Sequence, residues 1–94
     1  MGEEMVRVRA VVHGRVQMVG FRAFVISHGG DAGLSGTVRN LPDGTVETVL
    51  EGPAHQVDRV LGLLREGPFH ARVERVDVEY FAPTGKLPAM MVAS

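Results

Sequence analysis

An α+β fold with its elements in the order β-α-β-β-α-β is what this sequence of 94 residues predicts, and three observations carry it. Residues 5–13 and 72–81 alternate apolar and polar side chains, the period of two that lays one face of a strand on a core. Two other segments, one opening at Phe21 and one near Pro53, repeat apolar residues at spacings of three and four, the period of a helix. Between them, Pro42-Asp43-Gly44 separates two strand-like runs and marks a hairpin.

The elements follow in order. Val6, Val8, Ala10 and Val12 point one way along the first strand, and Arg7, Arg9 and His13 the other. Gly14 to Gly20 breaks the alternation and reads as a loop. From Phe21 to about Ala32 the pattern is helical, through Phe21, Phe24, Val25 and His28. Gly29 and Gly30 each cost a helix about 1 kcal/mol relative to alanine, so its second half is expected to be weak or short. Leu34–Leu41 and Thr45–Glu51 form the hairpin strands. Pro53 suits a first helical turn, Val57, Val60, Leu61 and Leu64 make one apolar stripe, and Gly67-Pro68 stops the helix. In the next strand Val76, Val78 and Tyr80 oppose Arg75, Asp77 and Glu79. Leu87 to Val92 reads as a short edge strand. This split βαβ order predicts a ferredoxin-like sandwich, an antiparallel sheet with two helices on one face.

Length and composition bound the function. Ninety-four residues make one domain, expected to span 1–94. A net charge of −1 offers no basic field for nucleic acid or anionic lipid, and one tyrosine and four phenylalanines without that field speak against a domain that stacks RNA bases on sheet aromatics. No apolar run approaches a membrane span, and the N-terminus is not a secretory signal. Met1-Gly2 opens like a myristoylation site, but Val6 stands where that motif takes Ser or Thr. The absence of cysteine excludes a disulfide scaffold and a thiolate nucleophile, and suits a cytoplasmic protein.

The informative stretch is Gly14-Arg15-Val16-Gln17-Met18-Val19-Gly20-Phe21-Arg22, which runs from a strand end through a glycine-bearing loop into a helix start. Backbone N–H groups of such a loop, with the positive end of the helix, suit an anion. Arg22 falls in the first turn, where a planar guanidinium can take two phosphate oxygens at once. A connector with a solvated arginine has the same spacing. The Gly-Lys-Ser/Thr ending of a nucleotide-binding loop is missing.

GRVQMVGFR resembles the acylphosphatase signature, Gly-Arg-Val-Gln-Gly-Val, a variable residue, an aromatic and Arg. A second signature of that family is matched by Gly36-Thr37-Val38-Arg39-Asn40 and then Gly44, Val46 and Gly52. The resemblance covers nearly the whole chain. It implies a hydrolase that splits the carboxyl–phosphate bond of acyl phosphates without metal or other cofactor. Arg15, Val16, Gln17, Met18, Val19 and Gly20 would form the phosphate-binding loop. Arg22 and Asn40 would be catalytic, Arg22 on the phosphoryl group and Asn40 on the attacking water. The implied partner is a small acyl phosphate, and the expected state is a monomer whose tail strand leaves an edge for self-association.

Two positions depart from the family pattern. Met18 stands where the family has glycine, so a left-handed backbone there would cost about 1–2 kcal/mol or the loop would be reshaped. Thr37 replaces an aromatic, which removes packing expected beside Asn40. Met18 motivates the alternative function, an anion-binding module with weakened turnover. The remaining groups read as structural. His13, His28, His55 and His70 are scattered without ligand spacing, Glu47, Glu51, Glu74, Asp77 and Glu79 belong to solvated strand faces, and Ser27 and Ser35 lack a nucleophile context.

Overall fold

In the computed structural model, which describes residues 3–93, β1 (Met5–Arg15) leads into α1 (Phe21–Asp31), β2 (Ser35–Asn40) and β3 (Val46–Pro53). Then come α2 (Ala54–Glu66), β4 (Arg72–Phe81) and β5 (Met91–Val92). The Met1-Gly2 reading lies outside the described residues. The strands form one sheet in the order β4-β1-β3-β2-β5. β1 pairs antiparallel with both β3 and β4, and β2 pairs antiparallel with β3.

Alternation along the strands divides the sheet into two faces. Val8, Ala10 and Val12 of β1 stand beside Leu50, Thr48 and Val46 of β3, and all are buried. Phe21 and Val25 of α1 and the α2 stripe Val57, Val60, Leu61 and Leu64 close over this face. Each large apolar side chain so buried contributes roughly 1.5–3 kcal/mol against conformational entropy. The opposite face carries Arg7, Arg9 and Val11 beside Glu51, Val49 and Glu47. Among the described residues no helix is long and apolar enough to cross a membrane.

Several expectations need correction. β5 runs parallel to β2, so the sheet is mixed, four antiparallel strands and one short parallel edge. It lies at the edge opposite β4, and the connecting chain must cross the molecule to reach it. α1 does not fade at its glycines but continues to Asp31, because Gly29 is buried beneath the Met90 side chain. A β-carbon there would meet the Met90 sulfur at 3.0 Å, so the glycine allows the tail to close on the helix. Pro53 ends β3 immediately before α2 instead of standing in its first turn. Gly14 and Arg15 belong to β1, pairing with Val73 and Arg72 past an irregularity after His13.

Glu47 and Glu51 are not solvated, being 8% and 5% exposed. Glu47 lies between Arg9, 2.6 Å from its carboxylate, and Arg39, at 2.7 Å. Burial pushes its pKa up, but hydrogen bonds from Arg39 and Arg9 outweigh that and hold it below the usual carboxylate value. Glu51 accepts the backbone N–H groups of Thr84 and Gly85, at 3.0 and 2.7 Å, and so pins the chain that leads to β5. Those backbone donors, Thr84 first, lower its pKa against the effect of burial.

Candidate active site

Residues 16–20 join the end of β1 to the start of α1, with Gln17 and Val19 half-buried and Met18 and Gly20 exposed. Val16 is buried, Val19 packs against the core, and Phe21 is buried at the first position of α1. Gly20 precedes the helix at φ 80°, and its carbonyl accepts the first helical hydrogen bond from Phe24 at 3.0 Å. Phe21, Phe24 and His28 meet along the helix in tilted and edge-on contacts, with ring centroids 5.8 and 4.4 Å apart. Fixed in this way, the loop keeps the N–H groups of Gln17 to Gly20 free of backbone acceptors among the described residues. They are available to an anion at the positive end of α1, whose first turn holds no acidic side chain.

Met18 resolves the choice posed by its departure from glycine. It adopts φ 62°, and among the described residues it is the one non-glycine with a positive φ. Its side chain is 100% exposed, so the strain is not offset by packing. The loop therefore takes a left-handed path at this position despite the methionine.

A cleft of about 180 Å³ opens beside the loop, lined by Val16, Met18, Gly20, Phe21, Arg22, Ala23 and Asn40. Arg22 is exposed in the first turn of α1 and enters none of the ion pairs among the described residues. Asn40 ends β2 opposite Val46, which places it on the helix-covered face where α1 begins. Thr37, three residues earlier, pairs with Val49 on the opposite face. The missing aromatic is therefore an absence on the open face and not beside Asn40, which corrects the expectation. At about 30 Å³ per water, the cleft takes a phosphoryl group but not a drug-sized molecule.

Of the expected site residues, Val16, Met18, Gly20, Arg22 and Asn40 line one cleft. Val19 anchors the loop from below, and Arg15 is exposed at the end of β1, one residue before the loop begins. Gln17 does something the sequence did not announce. Its side-chain amide donates to the carbonyls of Leu41 and Thr45, at 2.8 and 2.9 Å, which belong to the turn directly after Asn40. That turn is braced from within, since Asp43 accepts both the N–H and the hydroxyl of Thr45, at 3.0 and 2.6 Å. The Thr45 hydroxyl bond, followed by the backbone one, lowers the Asp43 pKa.

Larger concavities exist, including one of about 300 Å³ between the helices lined by His28, Asp31, Gln56 and Arg59. Size does not single out the site. Among the described residues, free loop amides, a helix start, an arginine and a side-chain amide come together at the smaller cleft.

Comparison with known proteins identifies the family. The family model described as Acylphosphatase matches residues 8–87. An acylphosphatase of Roseiflexus sp. is 46% identical over 83 residues, covering 88% of this chain and 89% of its own length. One of Methylococcus capsulatus is 48% identical over 88 residues, covering 94% and 96%. The crystal structure of acylphosphatase from Bacillus subtilis superposes with a TM-score of 0.91 at 29% identity, covering 95% of this chain and 99% of that one.

Proposed function

The chain belongs to the acylphosphatase family, and on that premise we infer that it hydrolyses acyl phosphates with the loop 16–20, Arg22 and Asn40. The observation that carries the assignment of residues is the cleft itself, where Arg22 and Asn40 line the same space of about 180 Å³ as Val16, Met18 and Gly20 of the loop. The loop N–H groups take the phosphoryl oxygens, helped by the α1 dipole. Arg22 takes two of them with its paired donors and stabilises the charge that builds in the transition state. Asn40 holds the attacking water in line behind the phosphorus.

The reaction then follows from positioning. The water oxygen bonds to phosphorus, the bond from phosphorus to the acyl oxygen breaks, and its electron pair leaves on the carboxylate. The proton of the water passes to the phosphate product. Carboxylic acids ionise at about pH 4, so this leaving group departs without a general acid. Phosphoryl transfer asks the protein mainly for orientation and charge stabilisation, which these residue types provide.

The reading takes residues 1–94 as a single monomeric domain whose partner is a small acyl phosphate, with no nucleic acid. The cysteine-free composition supports a cytoplasmic location. Met18 at φ 62° bears on the alternative of a weakened binding module. Because the backbone is left-handed there already, the loop has the path a glycine would give it, and this favours the enzyme. Titrating inorganic phosphate into the protein by calorimetry tests the binding half. Arg22→Ala is expected to weaken phosphate binding by one to two orders of magnitude, and equal affinity in the variant and the parent would remove Arg22 from the site.

A further inference from the structure

We propose that Gln17 is a positioning residue that sets the gap between the phosphate-binding loop and Asn40; this rests on the roles assigned above to the loop and to Asn40. The loop and Asn40 come from separate parts of the chain. Asn40 stands at the end of β2, and β3 separates that strand from β1, which carries the loop. Within the sheet, β-ladder bonds thus hold the two halves of the site only through an intervening strand. Gln17 bridges them directly. Its amide nitrogen reaches Leu41 and Thr45 across 24 and 28 residues of sequence, at 2.8 and 2.9 Å.

The chemistry of the bridge is specific. Both partners are carbonyl oxygens, which only accept, so the side chain must present its NH2 and not its oxygen. Both hydrogens are used. Each carbonyl is also held by the turn: Leu41 accepts the N–H of Gly44 at 3.1 Å, and Thr45 accepts the N–H of Leu41 at 2.9 Å. With Asp43 bracing Thr45, the turn is a rigid block, and Gln17 fastens the loop to it. The water held by Asn40 and the phosphoryl group held by the loop are then kept at a fixed separation. Attack geometry is steep in that separation, since a misplacement of about 1 Å can lower a rate 10²-fold.

The test compares Gln17→Met, of similar length but without donors, and Gln17→Glu with the parent. Turnover of benzoyl phosphate, inhibition by inorganic phosphate and the melting temperature are followed from pH 5 to 8. Gln17→Met is expected to lower kcat by about 10–100-fold while the inhibition constant for phosphate stays within a few-fold. Gln17→Glu sets a carboxylate against two carbonyls at neutral pH, and regains one donor when protonated. Its kcat relative to the parent is therefore expected to rise as the pH falls. A parental kcat in a folded Gln17→Met overturns the proposal, as does an equal loss of phosphate affinity, which would make Gln17 a support of the loop alone. A pH-independent ratio for Gln17→Glu overturns it as well. Failure of the parent to turn over benzoyl phosphate would instead remove the reading on which the proposal rests.

Discussion

Replacing Met18 with glycine is expected to stabilise the protein. The residue sits at φ 62°, a left-handed conformation that costs an L-residue about 1–2 kcal/mol and glycine almost nothing. Its side chain is 100% exposed, so no packing is lost with it. Against the gain stands the greater freedom of glycine in the unfolded chain, about 0.4–1 kcal/mol. The difference of the central values is a net stabilisation of about 0.8 kcal/mol. For a domain of this length that is a rise in Tm of about 3–6 °C. Calorimetric melts of the two proteins at one concentration and pH would measure it. An unchanged or lower Tm for Met18→Gly would refute the claim that methionine strains the loop. Turnover is expected to change little, because the backbone path is already that of a glycine; a large gain would mean that the side chain obstructs the cleft.

Other expectations concern the two buried carboxylates. Glu51→Ala leaves the N–H groups of Thr84 and Gly85 without their acceptor, and is expected to cost about 1–3 kcal/mol. A lower urea midpoint with an unchanged slope, together with faster proteolysis between residues 82 and 90, would show it; unaltered proteolysis would deny that Glu51 pins this segment. Glu47, Glu51 and Asp77 are all held below their ordinary pKa values in the folded protein. A carboxylate lowered on folding contributes stability that is complete above its unfolded pKa and is lost as the pH falls through the folded one. Stability should accordingly stay level above the ordinary glutamate value of 4.5 and decline below it. Glu47→Gln should lose less than the parent between about pH 5 and 3, and an equal loss would mean that Glu47 carries none of the dependence.

How much of this was legible in the sequence depends on the range of the interaction. Alternation along residues 5–13 and the stripe from Val57 to Leu64 gave the strand and helix faces, because burial of one face is a local pattern. Arg22 and Asn40 stand out in the sequence through two motifs, and both line the cleft. What stayed hidden was set by contacts across the fold. Glu47 reads as solvated because the alternation shows its face but not the two arginines that cover it. Gly29 reads as a helix breaker because Met90, which needs the space, is far along the chain. The parallel placement of β5 depends on the chain crossing the molecule, and Gln17 reads as one more loop residue because its partners lie beyond α1 and β2.

The most direct test of the central claim is the hydrolysis of benzoyl phosphate in excess chelator by the parent, Arg22→Ala and Asn40→Ala. Turnover by the parent is expected to fall by about 10²–10³-fold in either variant, with inhibition by inorganic phosphate lost in Arg22→Ala and kept in Asn40→Ala. A folded parent without turnover, or an Asn40→Ala variant as active as the parent, would contradict the account.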